Sequence, residues 1–254
     1  RPVLADRGAV NWSMNVAPLK DGGPGGQGLA IVLDDLTEKK RLQGKFEVFK
    51  RMVPPAVVER LNPEELALGG TRRELSIVFA DVQGFTSLSE TMDPEVLIGV
   101  LNRYVGAAAE AMLAHEGTVD KFIGDAVMAF FNAPDDQADH PLRAVKAALR
   151  MRDDVYALHK EMEPQFKLMF RIAVHGGEAV VGLVGTKDRL DYTIIGDTVN
   201  TAKRLQENGL PGKVIISDVV YGQVKDKVKV HELEPLKVKG RTKPIQVYEL
   251  LSLK

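Results

Sequence analysis

The chain has 254 residues, 44% of them hydrophobic, enough for one sizeable core with residues to spare. A net charge of -1 with 27% charged residues excludes a global basic field for nucleic acid and an acidic tail. The absence of cysteine excludes disulfides, thiolate catalysis and cysteine-ligated zinc. It fits a reducing compartment, expected here to be the cytoplasm.

Uninterrupted apolar runs are short, as in LAIVL at 29–33, against the roughly 20 residues that span a bilayer. No signal-peptide pattern opens the chain, and a start at RPVLADRG without Met is expected of a fragment. Residues 1–36 read as a strand pair, GAVNWSMNVAPL and LAIVLDDL, joined by the loop KDGGPGGQG. A strand follows that glycine loop rather than a helix, so it is expected to be a hairpin loop and not a phosphate cradle. A lone hairpin is marginal in water, so the segment is expected to belong to a larger domain. Residues 37–72 change character. Leu42, Phe46, Phe49 and Val53 recur at helical spacing in a charged stretch, the narrow stripe of a coiled-coil or signalling helix. PPAVVERL restarts a short helix, and NPEELALGG ends the linker.

Residues 73–254 carry the main domain. The predicted order is strand 74–80, helix 94–114, hairpin 118–131, helix 141–162, strands 170–175, 179–184 and 192–195, helix 198–207, strand 214–216, and strands 228–233 and 245–250. Asp93 is a natural N-cap with Pro94 in the first turn, and Gly117 lies just past the helix end. Alternating strands and helices predict an α/β or α+β layer fold, and there is no internal repeat.

Three places suit chemistry. In FADVQGFTSLSE an apolar strand stops at Asp81 and runs at once into a glycine turn. In DKFIGDAVMAFF the dipeptide Gly124-Asp125 sits between strand-like halves, a hairpin signal that alone accounts for Asp125. If the hairpin puts Asp125 beside Asp81, the pair offers hard oxygen ligands to Mg²⁺ or Mn²⁺, and VQGFT offers backbone N–H groups to phosphate. The third place is DYTIIGDTVNTAKRLQE, where Asn200 and Arg204 share a helix face. That face is either solvated or placed to meet a phosphate and a sugar. Arg171 enters an otherwise apolar strand and either snorkels or meets an anion. His175 reads as an ordinary strand-end histidine.

Taken together, FADVQGFT, KFIGDAVMAFF, RIAVHGGEAVVGLVG, DYTIIGDTVN, AKRL and VKG, in that order, resemble the catalytic domain of class III nucleotide cyclases. The resemblance runs from about residue 73 to 250. The upstream GLAIVLDDLTEKKRLQ resembles the end of a PAS-like sensor domain entering its output helix. The first resemblance implies an α+β, ferredoxin-like βαββαβ core with helices on a mostly antiparallel sheet, and ATP as substrate. It implies that Asp81, Asp125 and the Val82 carbonyl hold two Mg²⁺ or Mn²⁺ ions. The backbone of Gly84, Phe85 and Thr86 would bind phosphates, with Arg171 and Lys239 neutralising them. Asn200 and Arg204 would serve the ribose and the transition state, and Lys121 and Thr193 the base. Guanylate cyclases carry a glutamate and a small residue at those last two positions, so Lys and Thr look like an adenine-reading pair. The family places these sets on opposite subunits, which implies a head-to-tail homodimer with two composite sites. Thr193 further implies bicarbonate as a candidate effector. Guanylate cyclase and a catalytically silent relay domain are the rival readings; a diguanylate cyclase lacks support because GGDEF is absent.

Overall fold

The computed structural model describes residues 3–4, 8–20, 27–50, 52–58, 68–186, 188–238 and 243–254. They divide into two compact units, Arg1–Val58 and Glu59–Lys254.

In the first unit, Val3–Leu4 (β1) pairs antiparallel with Gly8–Ala9 (β2). Trp12–Lys20 (β3) pairs antiparallel with Gln27–Asp35 (β4), in unbroken register from Trp12↔Asp35 to Lys20↔Gln27. This is the hairpin expected from the sequence. Thr37–Lys50 (α1) follows, its first N–H bonded to Asp35 Oδ1 at 2.9 Å. Pro55–Val58 (α2) ends the unit. Met14, Val16, Leu29 and Ile31 of the hairpin and Leu42, Phe46 and Phe49 of α1 are all exposed. A polar face with a thin apolar stripe does not hold a core by itself.

The second unit is built on one sheet. Its elements are Gly69–Gln83 (β5), Phe85–Ser89 (α3), Pro94–Leu113 (α4), Thr118–Ile123 (β6), Ala126–Phe131 (β7), His140–Leu158 (α5), Met169–Gly185 (β8), Leu190–Ile195 (β9), Asp197–Glu207 (α6), Val214–Ser217 (β10), Asp218–Val224 (α7), Val228–Leu236 (β11) and Ile245–Leu253 (β12). The sheet order is β11-β12-β10-β8-β5-β7-β6, with β9 added to β8. Only the β8–β10 pairing among the described strands is parallel. The run β5-α4-β6-β7-α5-β8 is a βαββαβ unit with spatial order β8-β5-β7-β6, the ferredoxin-like arrangement.

Period-two alternation divides the core between the sheet's faces. Val78, Ala80 and Val82 of β5 pack with Tyr104 and Met112 of α4 and Val145 and Met151 of α5. Leu75, Ile77 and Phe79 turn to the other face, with Ile194 of β9 and Ala202 of α6. Both faces are covered, so β7 reads as a continuous apolar run, buried at every position. By length and composition α4 is the one helix among the described residues that could cross a membrane, yet Tyr104, Ala108, Ala111 and Met112 bury against this core.

The structure departs from the sequence reading in two elements. Strands expected at 170–175 and 179–184 are one strand, β8, paired with β5 without a break from Gly69↔Leu183 to Gln83↔Met169. The Gly176-Gly177 pair, read as a break, lies inside that ladder opposite Ser76 and Leu75. A short helix, α7, follows β10 where none was expected.

Candidate active site

Asp81 lies near the end of β5, where the register sets it opposite Ala126 on one side and Arg171 on the other. The two-residue turn Gly124-Asp125 joins β6 to β7, so Asp125 directly precedes Asp81's strand partner. Gly124 has φ +63°, as such a turn requires. The Val82 N–H reaches the Asp125 carbonyl at 3.4 Å, which ties the turn to the end of β5. The expected meeting of the acids is therefore a consequence of strand register.

Burial pushes the Asp125 carboxyl above its ordinary value, and the neighbouring Asp81 charge adds to the rise. Lys203 and Arg171 act the other way. Asp81 itself forms a half-buried ion pair with the Arg171 guanidinium, whose Nη1 also donates to the Glu207 carbonyl at 3.4 Å. Arg171 thus meets an anion, Asp81, in addition to the negative end of α6. Two neighbouring carboxylates with hard oxygen donors, where the Asp81 charge adds to the rise of Asp125, suit a divalent cation. Gly84 follows with φ +87° and starts α3 without a side-chain cap, and Phe85 turns its ring to the core. Thr86 is exposed.

A second cluster forms around Lys121 and Thr193. The β6–β7 register slips between Val119 and Lys121, leaving Asp120 unpaired at a bulge. The Asp120 side chain is 1% exposed, and the Lys121 ammonium lies 3.4 Å from its Oδ1. The Thr193 hydroxyl, brought in by β9, donates to Asp120 Oδ2 at 2.5 Å. Lys121 and Thr193, far apart in sequence, therefore share one carboxylate.

Asn200 and Arg204 lie on the outer face of α6, opposite Thr201, Ala202, Leu205 and Gln206, which are buried. Among the described residues, no hydrogen bond or ion pair engages the Asn200 amide or the Arg204 guanidinium. Neither is joined to the two clusters. Lys239 lies outside the described residues. His175 is buried and bonded through Nδ1 to Ser217 Oγ at 2.9 Å, as a structural histidine would be. Sequence reasoning missed Asp120 and Lys203, although an acid–base doublet in an apolar strand was a signal for the first.

The profile described as the adenylate and guanylate cyclase catalytic domain matches residues 70–252. The chain belongs to the class III adenylate and guanylate cyclase family. Adenylate cyclase 1 of Rhizobium meliloti is 37% identical over 222 residues, covering 84% of this chain and 33% of that protein. The crystal structure of the adenylyl cyclase CyaB from P. aeruginosa superposes with a TM-score of 0.68 at 34% identity, covering 73% of this chain and 97% of that one. The guanylyl cyclase Cya2 superposes with a TM-score of 0.70 at 32% identity, covering 74% of this chain and 96% of that one. The chain spans about a third of the length of the R. meliloti relative. The second unit is thus a nucleotide cyclase domain of a family generally dependent on divalent metal. The chain is thus similar to adenylyl and guanylyl cyclases alike.

Proposed function

We propose that this chain is an adenylate cyclase, converting ATP into 3′,5′-cyclic AMP and pyrophosphate at composite sites of a head-to-tail homodimer. The observation that carries the choice of ATP is the convergence of Lys121 and Thr193 on Asp120. Lys121 offers only donors, and the Thr193 oxygen, its proton already given to Asp120, offers an acceptor. Adenine needs a donor at N1 and an acceptor at its amino group. Guanine needs the reverse.

Asp81, Asp125 and the Val82 carbonyl are the groups that would hold two Mg²⁺ or Mn²⁺ ions, which when bound activate the ribose hydroxyl and neutralise the phosphates. The chain's own residues position the rest. Arg171 and Lys239 counter polyphosphate charge, and the backbone at Gly84, Phe85 and Thr86 receives the terminal phosphates. Asn200 orients the ribose, and Arg204 stabilises the charge that develops on the α-phosphate. The ribose 3′-oxygen bonds to the α-phosphorus, the bond to pyrophosphate breaks, and the hydroxyl proton leaves to solvent. The unspent polar face of α6 supports a site completed by the acids of a second subunit. We assign residues 1–36 to the end of a PAS-like sensor domain, 37–72 to its signalling linker and 73–254 to the cyclase. The exposed apolar residues of β3, β4 and α1 support that division.

The test is turnover of ATP and of GTP by the purified chain with Mn²⁺, reading each cyclic product. Cyclic AMP in large excess is expected. Predominant cyclic GMP makes it a guanylate cyclase, and no product from either makes it a silent relay.

A further inference from the structure

We propose that Asp120 is a positioning residue that sets purine specificity by fixing which way the Thr193 hydroxyl points and where the Lys121 ammonium sits. The proposal rests on the assignment of Lys121 and Thr193 to the base. It adds a residue that touches no substrate and acts through both.

A carboxylate that is 1% exposed stands at a β-bulge beside an apolar cluster of Met128, Phe130 and Ile194. Its Oδ1 has no hydrogen bond, only the ammonium at 3.4 Å. Buried polar atoms are normally satisfied, and a buried charge without full partners is destabilising. An apolar residue here would serve the fold better, so the carboxylate answers to something else.

Its geometry says what. An ionised carboxylate only accepts hydrogen bonds, whereas a threonine hydroxyl rotates to suit its neighbours. At 2.5 Å from Asp120 Oδ2, in the range of charge-assisted O–H···O⁻ bonds, the Thr193 proton is committed to the carboxylate. The free lone pairs of Thr193 then meet a ligand as acceptors. Oδ1 meanwhile draws the Lys121 ammonium to the same side, where its N–H groups can donate to a ligand. Burial raises the proton affinity of this carboxyl above its ordinary value, while Thr193, Lys121 and the Ile194 backbone act the other way and favour the charged form. Asp120 therefore converts an ambiguous hydroxyl into an obligate acceptor beside an obligate donor. That pattern accepts adenine and rejects the carbonyl and N1–H of guanine. An amide in place of the carboxylate could donate to Thr193 as well as accept, and would release the hydroxyl to serve either purine.

The experiment compares kcat/KM for ATP and GTP in wild type, Thr193→Val, Asp120→Asn and the double variant. The ratio cancels any change in the folded fraction, and Asp120→Ser serves where Asp120→Asn gives too little protein. Asp120→Asn is expected to lower the ATP/GTP ratio about tenfold or more, as expected when a polar match is lost. Thr193→Val should lower it too, and in that background Asp120→Asn should lower it further by clearly less than in wild type, since only its effect through Lys121 remains. A ratio that changes with Thr193→Val and not with Asp120→Asn overturns the proposal while the base assignment stands. A ratio unmoved by Thr193→Val sinks the base assignment and the proposal with it. An Asp120→Asn effect of full size in the Thr193→Val background also overturns it, because the carboxylate would not be acting through the hydroxyl.

Discussion

Asp81→Asn and Asp125→Asn each delete one of the carboxylates that meet beside the β6–β7 turn. Cyclase activity with Mn²⁺ is expected to fall at least about 100-fold in either variant, the scale of losing one electrostatic stabiliser. The fold should survive, since the β5–β7 ladder is backbone, and circular dichroism checks that. Near-normal turnover would remove these acids from the site. Tyr104 makes a contrasting residue-scale case. Its ring is fully buried, and its hydroxyl donates to the Phe166 carbonyl at 2.7 Å and accepts from the Leu168 N–H at 2.7 Å. Tyr104→Phe strands both backbone groups, at about 1–3 kcal/mol. The melting temperature should drop several degrees while kcat per folded enzyme stays close to wild type. A melting temperature within a degree of wild type would contradict this account. Asp81 and Asp125 were legible because a strand end and a glycine turn are local signals. Asp120 offered only the Asp–Lys doublet as a local signal, because its partner Thr193 arrives from another strand.

At the scale of elements, the joint between α5 and β5 is titratable. His140 opens α5, is buried, and pairs its Nδ1 with Ser76 Oγ of β5 at 2.9 Å. Burial pushes its imidazole below the ordinary value of about 6.5, and the nearby Asp139 charge only partly offsets that. The unfolded chain therefore binds the proton more readily than the native one. Stability from this group is complete above about pH 6.5 and declines as pH falls from there toward the lower native value. His115 is shifted in the same direction, by burial and by the Arg150, Lys146 and Arg143 charges. His140→Gln should make the loss of unfolding free energy between about pH 7 and 5 shallower without abolishing it, as measured by urea denaturation. An unchanged slope would free His140 of this role. Elements were mostly legible in sequence, with β8 the instructive exception. A glycine pair reads locally as a break, but the β5 partner strand supplies hydrogen bonds along its whole length. A continuous ladder outweighs the weak local preference for a turn.

At the scale of the whole molecule, the proposed dimer makes a quantitative demand. Asp81→Ala and Arg204→Ala homodimers each carry two damaged sites and should be nearly inactive. Mixed under subunit exchange, about half the dimers are hybrids, and each hybrid has one site with both lesions and one intact. Activity should recover to about one quarter of wild type, as composite sites in a closed two-fold assembly require. No recovery despite exchange shown with mass-tagged subunits would place Asp81 and Arg204 in one subunit's site. The absence of any bond from Arg204 or Asn200 to the acid cluster, among the described residues, motivates this test.

Local facts were readable along the chain: most strands and helices, where turns need glycine, and which acids lie near a strand end or in a hairpin turn. Each of these is written in neighbouring residues, through alternation, helical spacing and turn chemistry. The order and spacing of the motifs also carried the family. That Asp81 faces Arg171 across β5 and β8, and that Lys121 and Thr193 converge on Asp120, follows from the folded chain alone. Those meetings depend on strand register and on a bulge between Val119 and Lys121. Register is a property of two strands at once, set by which faces both bury, and no single stretch of sequence contains it.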